Sequence, residues 1–136
     1  MRSFLPFMLV IFLFISCMDK IDLRKFEVNN NSNREIYTII HKIDIEQDTI
    51  NNYGFIGDFT DSLDSNIVKE IDRPIDWRTY INKSMGHKFR LYIIEKDSVK
   101  KYGWNGIQER NIYNQRYLLD TDDLDSLNWT IEYNGN

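Results

Sequence analysis

The chain has 136 residues, of which 28% are charged and 14% aromatic, and its formal net charge is −4 at pH 7. This acidic balance argues against a nucleic-acid partner, which would require a basic patch. Cys17 is the only cysteine, so the fold has no internal disulfide and must be stabilised by packing. The aromatic residues are numerous enough to build a modest core.

The first 17 residues have the pattern of an export signal. Arg2 gives a positive start, residues 4–15 form an almost unbroken apolar run, and Ser16 is small. A helix needs about 20 apolar residues to cross the hydrocarbon core of a bilayer, and Pro6 interrupts this shorter run. We therefore predict a cleaved secretory signal over residues 1–16 and not a permanent membrane span.

Residues 14–17 read FISC, and with this ending the segment resembles the signals of bacterial lipoproteins. The resemblance implies that the thiol of Cys17 receives a diacylglyceryl group, that the preceding peptide is removed and that the new N-terminus is acylated. Each buried methylene of such chains would add about 0.8 kcal/mol to membrane binding. The alternative is a free cysteine after an ordinary signal, but no A-x-A-like cleavage site follows.

The residues after the cysteine predict a lipidated N-terminus with a flexible tether over residues 17–34 and one domain over residues 35–136. The tether prediction depends on polar composition and on the Asn/Ser cluster at 29–33. Asp19 and Asp22 lie near the lipidated end, where acidic residues direct surface export in Bacteroides-like lipoproteins. An outer-membrane location is expected, with the periplasmic and surface faces both left open.

The first half of the domain gives mixed signals. Residues 35–45 predict a strand, because β-branched and aromatic residues dominate. Residues 47–61 predict an irregular loop. Leu63, Ile67 and Ile71 have the i, i+4, i+8 spacing of a helical turn over 62–71. Residues 76–84 predict a short helix with Asp76 as its N-cap.

The second half alternates strands and helices. Strands are predicted at 89–95, 112–119 and 129–133, and helices at 97–110 and 121–127. This order predicts an α+β fold with a mixed sheet and two or three short helices. The second crossover is short for a parallel return, so an antiparallel edge is equally compatible.

The last third of the chain carries a second resemblance. Residues 97–99 (DSV), 102–104 (YGW), 116–117 (RY), 123–124 (DL) and 127–131 (LNWTI) are similar to small uncharacterised lipoproteins of Bacteroides-like bacteria. The resemblance implies kinship, and it implies no activity.

No catalytic residue, metal or cofactor is predicted, and the question of an enzyme is left open with a preference against it. The acidic run 120–125 fails as a calcium loop, because positions five and six would be Leu124 and Asp125. It predicts a capped helix start instead. His41 and His87 lack the spacing of a metal motif, and the chain contains no G-x-S-x-G nucleophile elbow.

Four triplets of Asp, Ser or Thr and an aliphatic residue begin at positions 48, 61, 97 and 125. They resemble the O-glycosylation site of exported Bacteroides proteins, with Thr49 and Ser62 favoured because both lie in predicted loops. Capping of helices and turns is the alternative explanation for the same residue types.

Taken together, the sequence predicts a membrane-anchored envelope lipoprotein whose domain binds another protein without catalysis. One version is an immunity protein whose acidic face blocks an incoming toxin. The alternative hypothesis is a cell-surface glycan-binding or hydrolytic module in which exposed Trp77 or Trp104 stacks against the glycan. Burial of these indoles would argue against it.

Overall fold

Two β-sheets and three helices make up the computed structural model, which describes residues 24–42, 60–72 and 76–135. The strands are β1 (Glu27–Asn30), β2 (Ile36–Lys42), β3 (Thr60–Leu63), β4 (Ile67–Glu70), β5 (Phe89–Glu95), β6 (Gln115–Leu119) and β7 (Thr130–Tyr133). The helices are α1 (Trp77–Asn82), α2 (Lys96–Arg110) and α3 (Thr121–Ser126), with a 3-10 turn at Met85–His87. The predicted α+β class is confirmed.

The larger sheet has the strand order β3-β2-β5-β6, and all of its neighbours are antiparallel. The smaller sheet has the order β4-β1-β7, in which β1 is antiparallel to β4 and parallel to β7. The parallel pair places the first strand of the described chain beside the last. Neither β1 nor β7 can therefore leave the fold without opening the smaller sheet.

The main core lies on one face of the larger sheet and receives residues from both sheets, α1 and α3. Successive side chains of a strand point to opposite faces, and on β5 the fully buried Phe89, Leu91 and Ile93 point into this core. Phe26, Trp77 and Phe89 form an aromatic group with ring centroids 5.0–5.9 Å apart. We call this face of the larger sheet the inner face.

The opposite, outer face of the larger sheet is covered by α2. Ile39 of β2, Tyr92 and Ile94 of β5 and Ile107 of α2 form a second buried cluster there. Val99 and Tyr102 of α2 pack against this cluster, and Ile107 is fully buried.

The prediction of a flexible tether over 17–34 is wrong for residues 24–34. Strand β1 lies in the middle of the smaller sheet, and Phe26, Val28 and Asn30 are completely buried. One of the asparagines that indicated a loop instead fixes the backbone through side-chain hydrogen bonds. The Asn30 amide donates to the backbone carbonyls of Arg34 and Asp64, at 2.7 and 2.9 Å. The described part of the fold therefore includes residues 24–34, which precede the predicted start of the domain at residue 35.

The predicted helical turn at 62–71 is also wrong, because β3 and β4 occupy this stretch. Leu63 and Ile71 are buried, whereas 47% of Ile67 is exposed, so the three residues do not share one face. Asn66, with φ of 59°, reverses the chain between the two strands. The predicted loop at 47–61 lies outside the described residues, apart from its last two, which begin β3.

The other predicted elements are confirmed with small shifts of their ends: β2, α1, β5, α2, β6, α3 and β7 lie where the sequence placed them. Asp76 caps α1 by accepting a hydrogen bond from the Thr79 N–H at 2.9 Å. Within the described ranges, no helix is both long and apolar enough to span a membrane.

Candidate functional site

The residues predicted from sequence to carry modifications are only partly visible in the structure. Cys17 and Thr49 lie outside the described residues. Ser62 is exposed, but it lies in β3 at the edge of the larger sheet and not in the predicted loop. Its neighbour Asp61 pairs with Lys69 at 2.8 Å.

The acidic run 120–125 is a helix start, as predicted. Asp120 and Asp123 form a capping box in which each carboxylate accepts a backbone N–H of the other residue, at 2.9 and 3.0 Å. Lys88 pairs with both carboxylates. Its hydrogen bond, followed by that from the Asp123 N–H, holds the pKa of Asp120 below its ordinary value.

The described residues contain no group of three or more His, Cys, Asp or Glu side chains arranged to hold a metal. His41 packs edge-on against the ring of Tyr92, with centroids 6.0 Å apart. His87 is exposed and lines an open cleft of about 270 Å³ beside Asp120. Within this cleft, Asp120 is already engaged by the cap and by Lys88.

The two tryptophans proposed as a surface for stacking against a glycan differ in burial. Trp77 is 4% exposed within the main core, so it does not offer the stacking surface that the glycan-binding alternative required. Trp104 is half-buried and meets Tyr37 edge-on, with centroids 5.0 Å apart.

Helix α2 carries the most distinctive exposed surface of the described chain, and a backbone break shapes it. Gly103 has φ of 66° and ψ of 166°, which interrupts the helix between Tyr102 and Trp104. Only glycine adopts this region readily. A Cβ placed on Gly106 would lie 3.2 Å from the Tyr102 Cβ, so the second glycine allows the close approach that the break creates.

Three cations lie over the aromatic rings of this surface. The Lys101 Nζ is 4.9 Å and the Arg110 Cζ 5.6 Å from the centroid of Tyr102, and the Arg116 Cζ is 5.9 Å from that of Tyr113. We call these five residues the α2 face. The pKa of Tyr102 is lowered by its hydrogen bond with Lys101 and the charge of that residue, with a smaller effect of Arg110.

The α2 face differs in charge from the rest of the molecule. Residues 96–119 contain five Lys or Arg and two Asp or Glu, whereas residues 120–136 contain five Asp or Glu and no Lys or Arg. The overall acidity, which argued against a basic patch, therefore conceals a locally basic surface. This segregation is readable in the sequence, but whole-chain net charge averages it away.

The α2 face combines cationic groups with aromatic rings. Lys101, Arg110 and Arg116 are donors for carboxylate or other anionic oxygens, and Tyr102 and Tyr113 supply half-buried apolar area beside them. No known protein family, curated protein or solved structure matches this chain.

Proposed function

We propose that this protein is a lipid-anchored lipoprotein of the bacterial outer membrane whose domain binds an acidic segment of another protein without catalysing a reaction. The observation that carries the anchor is the short apolar run closed by Ser16 and Cys17. Such a run is too short to span a bilayer and has the layout of a secretory signal.

The start of the fold supports the same proposal. Arg24 is already held by contacts of the domain, so only residues 18–23 separate it from Cys17. A lipidated cysteine this close in sequence to Arg24 would hold the domain near the membrane surface.

The α2 face supports an acidic protein partner. Arginine forms bidentate pairs with carboxylates, and aromatic residues with arginine are enriched where proteins meet. The toxin-blocking version relied on an acidic face. Within the molecule, however, Asp120 and Asp123 pair with Lys88, and Asp125 pairs with Arg24. These pairs favour the basic α2 face as the surface of recognition.

The anchor is tested by expressing Cys17→Ser with Ser16→Ala as the matched control. We expect Cys17→Ser to lose incorporation of labelled palmitate, to keep its signal and to be absent from the outer-membrane fraction. The control should be lipidated and retained, since alanine is also small. Envelope retention and normal signal cleavage of Cys17→Ser would contradict the anchor.

The partner surface is tested by the double variant Lys101→Glu/Arg110→Glu. Crosslinking in solubilised envelope should lose its specific adduct, and rising salt should weaken the wild-type adduct, because exposed charges are screened. Lys83→Glu reverses one exposed charge on another element and is the control. An adduct that survives the double variant, or disappears equally in the control, contradicts the α2 face as the binding surface.

A further inference from the structure

The first described residue, Arg24, makes side-chain contacts with Asp125 and Trp129, which also contact each other. Its guanidinium pairs with the Asp125 carboxylate and lies over the indole of Trp129, 4.1 Å from the ring centroid. The Trp129 Nε1–H donates to the Asp125 Oδ1 at 2.7 Å. Each member of this group contacts the other two, and we call the group the Arg24 clamp.

The backbone under the clamp is held in a conformation that a bulky residue rarely adopts. Asn128 and Trp129 have φ of 50° and 60°, and such a residue costs about 1–3 kcal/mol unless its surroundings fix it. The Trp129 N–H donates to the Leu124 carbonyl at 2.8 Å, and its carbonyl accepts the Glu27 N–H at 2.9 Å. These bonds secure the indole on which Arg24 stacks.

The clamp limits where a membrane anchor can lie. Seven peptide units separate Cys17 from Arg24, and they span at most about 25 Å whatever their conformation. Strand β1 leads away from the clamp, so the far end of the domain lies beyond its whole length. That end consists of residues 31–35 and the turn at 64–66. Contact between it and the bilayer would require a nearly fully extended connection.

Exposed apolar side chains occur at both ends. Leu127, next to the clamp, is 41% exposed, and Ile67 and Val68, which follow the turn at 64–66, are 47% and 52% exposed. Surface apolarity therefore does not distinguish the two ends, and the orientation depends on the reach of the connection to Cys17.

We propose that the end of the domain that carries Arg24 and Leu127 is its bilayer-facing side, and that residues 31–35 and 64–66 point away from the membrane. This orientation rests on the proposed lipidation of Cys17. It makes the lipid surface a second partner of the domain and leaves the far end accessible to other molecules.

Distance-dependent quenching tests the orientation. Ser126→Cys and Asn33→Cys each add one thiol to a chain whose own cysteine is lipidated, and both positions are exposed. The lipoproteins are purified from envelope, labelled with a fluorophore and reconstituted in phosphatidylethanolamine vesicles with a headgroup quencher. We expect at least threefold stronger quenching at position 126 than at position 33.

The possible failures are distinguishable. A purified protein that does not bind vesicles would contradict the lipid anchor and, with it, the orientation. Binding with equal quenching at the two positions would contradict the orientation alone. Arg24→Gln should narrow the difference between the positions by releasing the clamp, while Lys83→Gln should leave it unchanged. If Arg24→Gln left the difference in quenching unchanged, the Arg24 clamp would not be what orients the domain.

Discussion

The two faces of the larger sheet are buried by different means. On the inner face, Phe89, Leu91 and Ile93 are fully covered by the smaller sheet with α1 and α3. On the outer face, a single interrupted helix covers Tyr92 and Ile94 and leaves its own aromatic residues half-exposed among cations. The inner face thus contributes most of the buried core, while the outer face leaves a charged and aromatic surface exposed.

The inner face also contains a buried carboxylate at its end. Glu95 is 4% exposed, and its carboxylate pairs with Arg34 and accepts the Tyr133 hydroxyl hydrogen at 3.0 Å. Burial, followed by this hydrogen bond, raises the pKa of Tyr133 to about 12. The polar group joins β5, β7 and the loop after β1, so the inner face is closed at this end by a satisfied network.

The largest effect is expected where both sheets meet on the inner face. Phe26→Ala removes a fully buried ring that contacts Trp77 and Phe89, and such a truncation costs about 3–5 kcal/mol. Tyr102→Ala on the outer face should cost much less, because its ring is only half-buried. Chemical denaturation measures both, and equal losses would contradict the distinction between the faces.

The next largest loss of stability is expected on removing the buried Tyr133 hydroxyl at the end of the inner face. Tyr133→Phe leaves the Glu95 carboxylate without one donor, and a hydrogen bond to a charged group is worth about 1.5–3 kcal/mol. In the wild type, the folded pKa of Tyr133 lies above the ordinary value of 10.0. The contribution is complete below pH 10 and lost as the pH rises from 10 toward 12. Unfolding measured across this range should show the loss in the wild type and not in Tyr133→Phe.

On the outer face, the break in α2 is the feature most sensitive to a single methyl group. Gly103→Ala has free space around its Cβ but places alanine in a region that costs about 1–3 kcal/mol. We expect lower stability in denaturation and a shift of the Tyr102 ring resonances. Asn105→Ala, in the exposed second part of α2, is the control and should change stability by less than about 0.5 kcal/mol. Unchanged stability of Gly103→Ala would show that the break is not required.

The inner face was largely predictable from sequence, because β5 and α1 carry their signals locally. The strands of the smaller sheet were not. Glu27–Asn30 is poor in strand-forming residues and becomes a strand through pairing with β7, about 100 residues away in the chain. Strand β4 exposes Ile67 and Val68, so it lacks the alternation that would identify it. The candidate site was missed because whole-chain charge hides the basic α2 face.

Removing a hydroxyl from the middle of the larger sheet should raise the stability of the fold, whereas removing that of Tyr133 should lower it. Thr38 is 1% exposed, and its Oγ1 has no hydrogen-bond partner in the described structure. Thr38→Val keeps the shape and removes the buried polar atom, so we expect a gain of about 1 kcal/mol. Calorimetry of Thr38→Val beside Tyr133→Phe compares the loss of one hydroxyl in each setting. A loss of stability in Thr38→Val would mean that the hydroxyl is satisfied in solution.

The smallest effect on stability, and the most specific to the α2 face, is expected from Lys101→Gln. This exposed residue should change the free energy of unfolding by less than about 0.5 kcal/mol. It should nevertheless raise the pKa of Tyr102 toward its ordinary value, since Lys101 is the main cause of the lowered pKa. Absorbance titration against Tyr102→Phe isolates this ring. Lys100→Gln is the matched control, because Lys100 pairs with Asp97 at 3.1 Å. An equal rise of the Tyr102 pKa in both variants would mean that Tyr102 responds to the general charge of the helix. It would contradict the specific contact between Lys101 and Tyr102 in the α2 face.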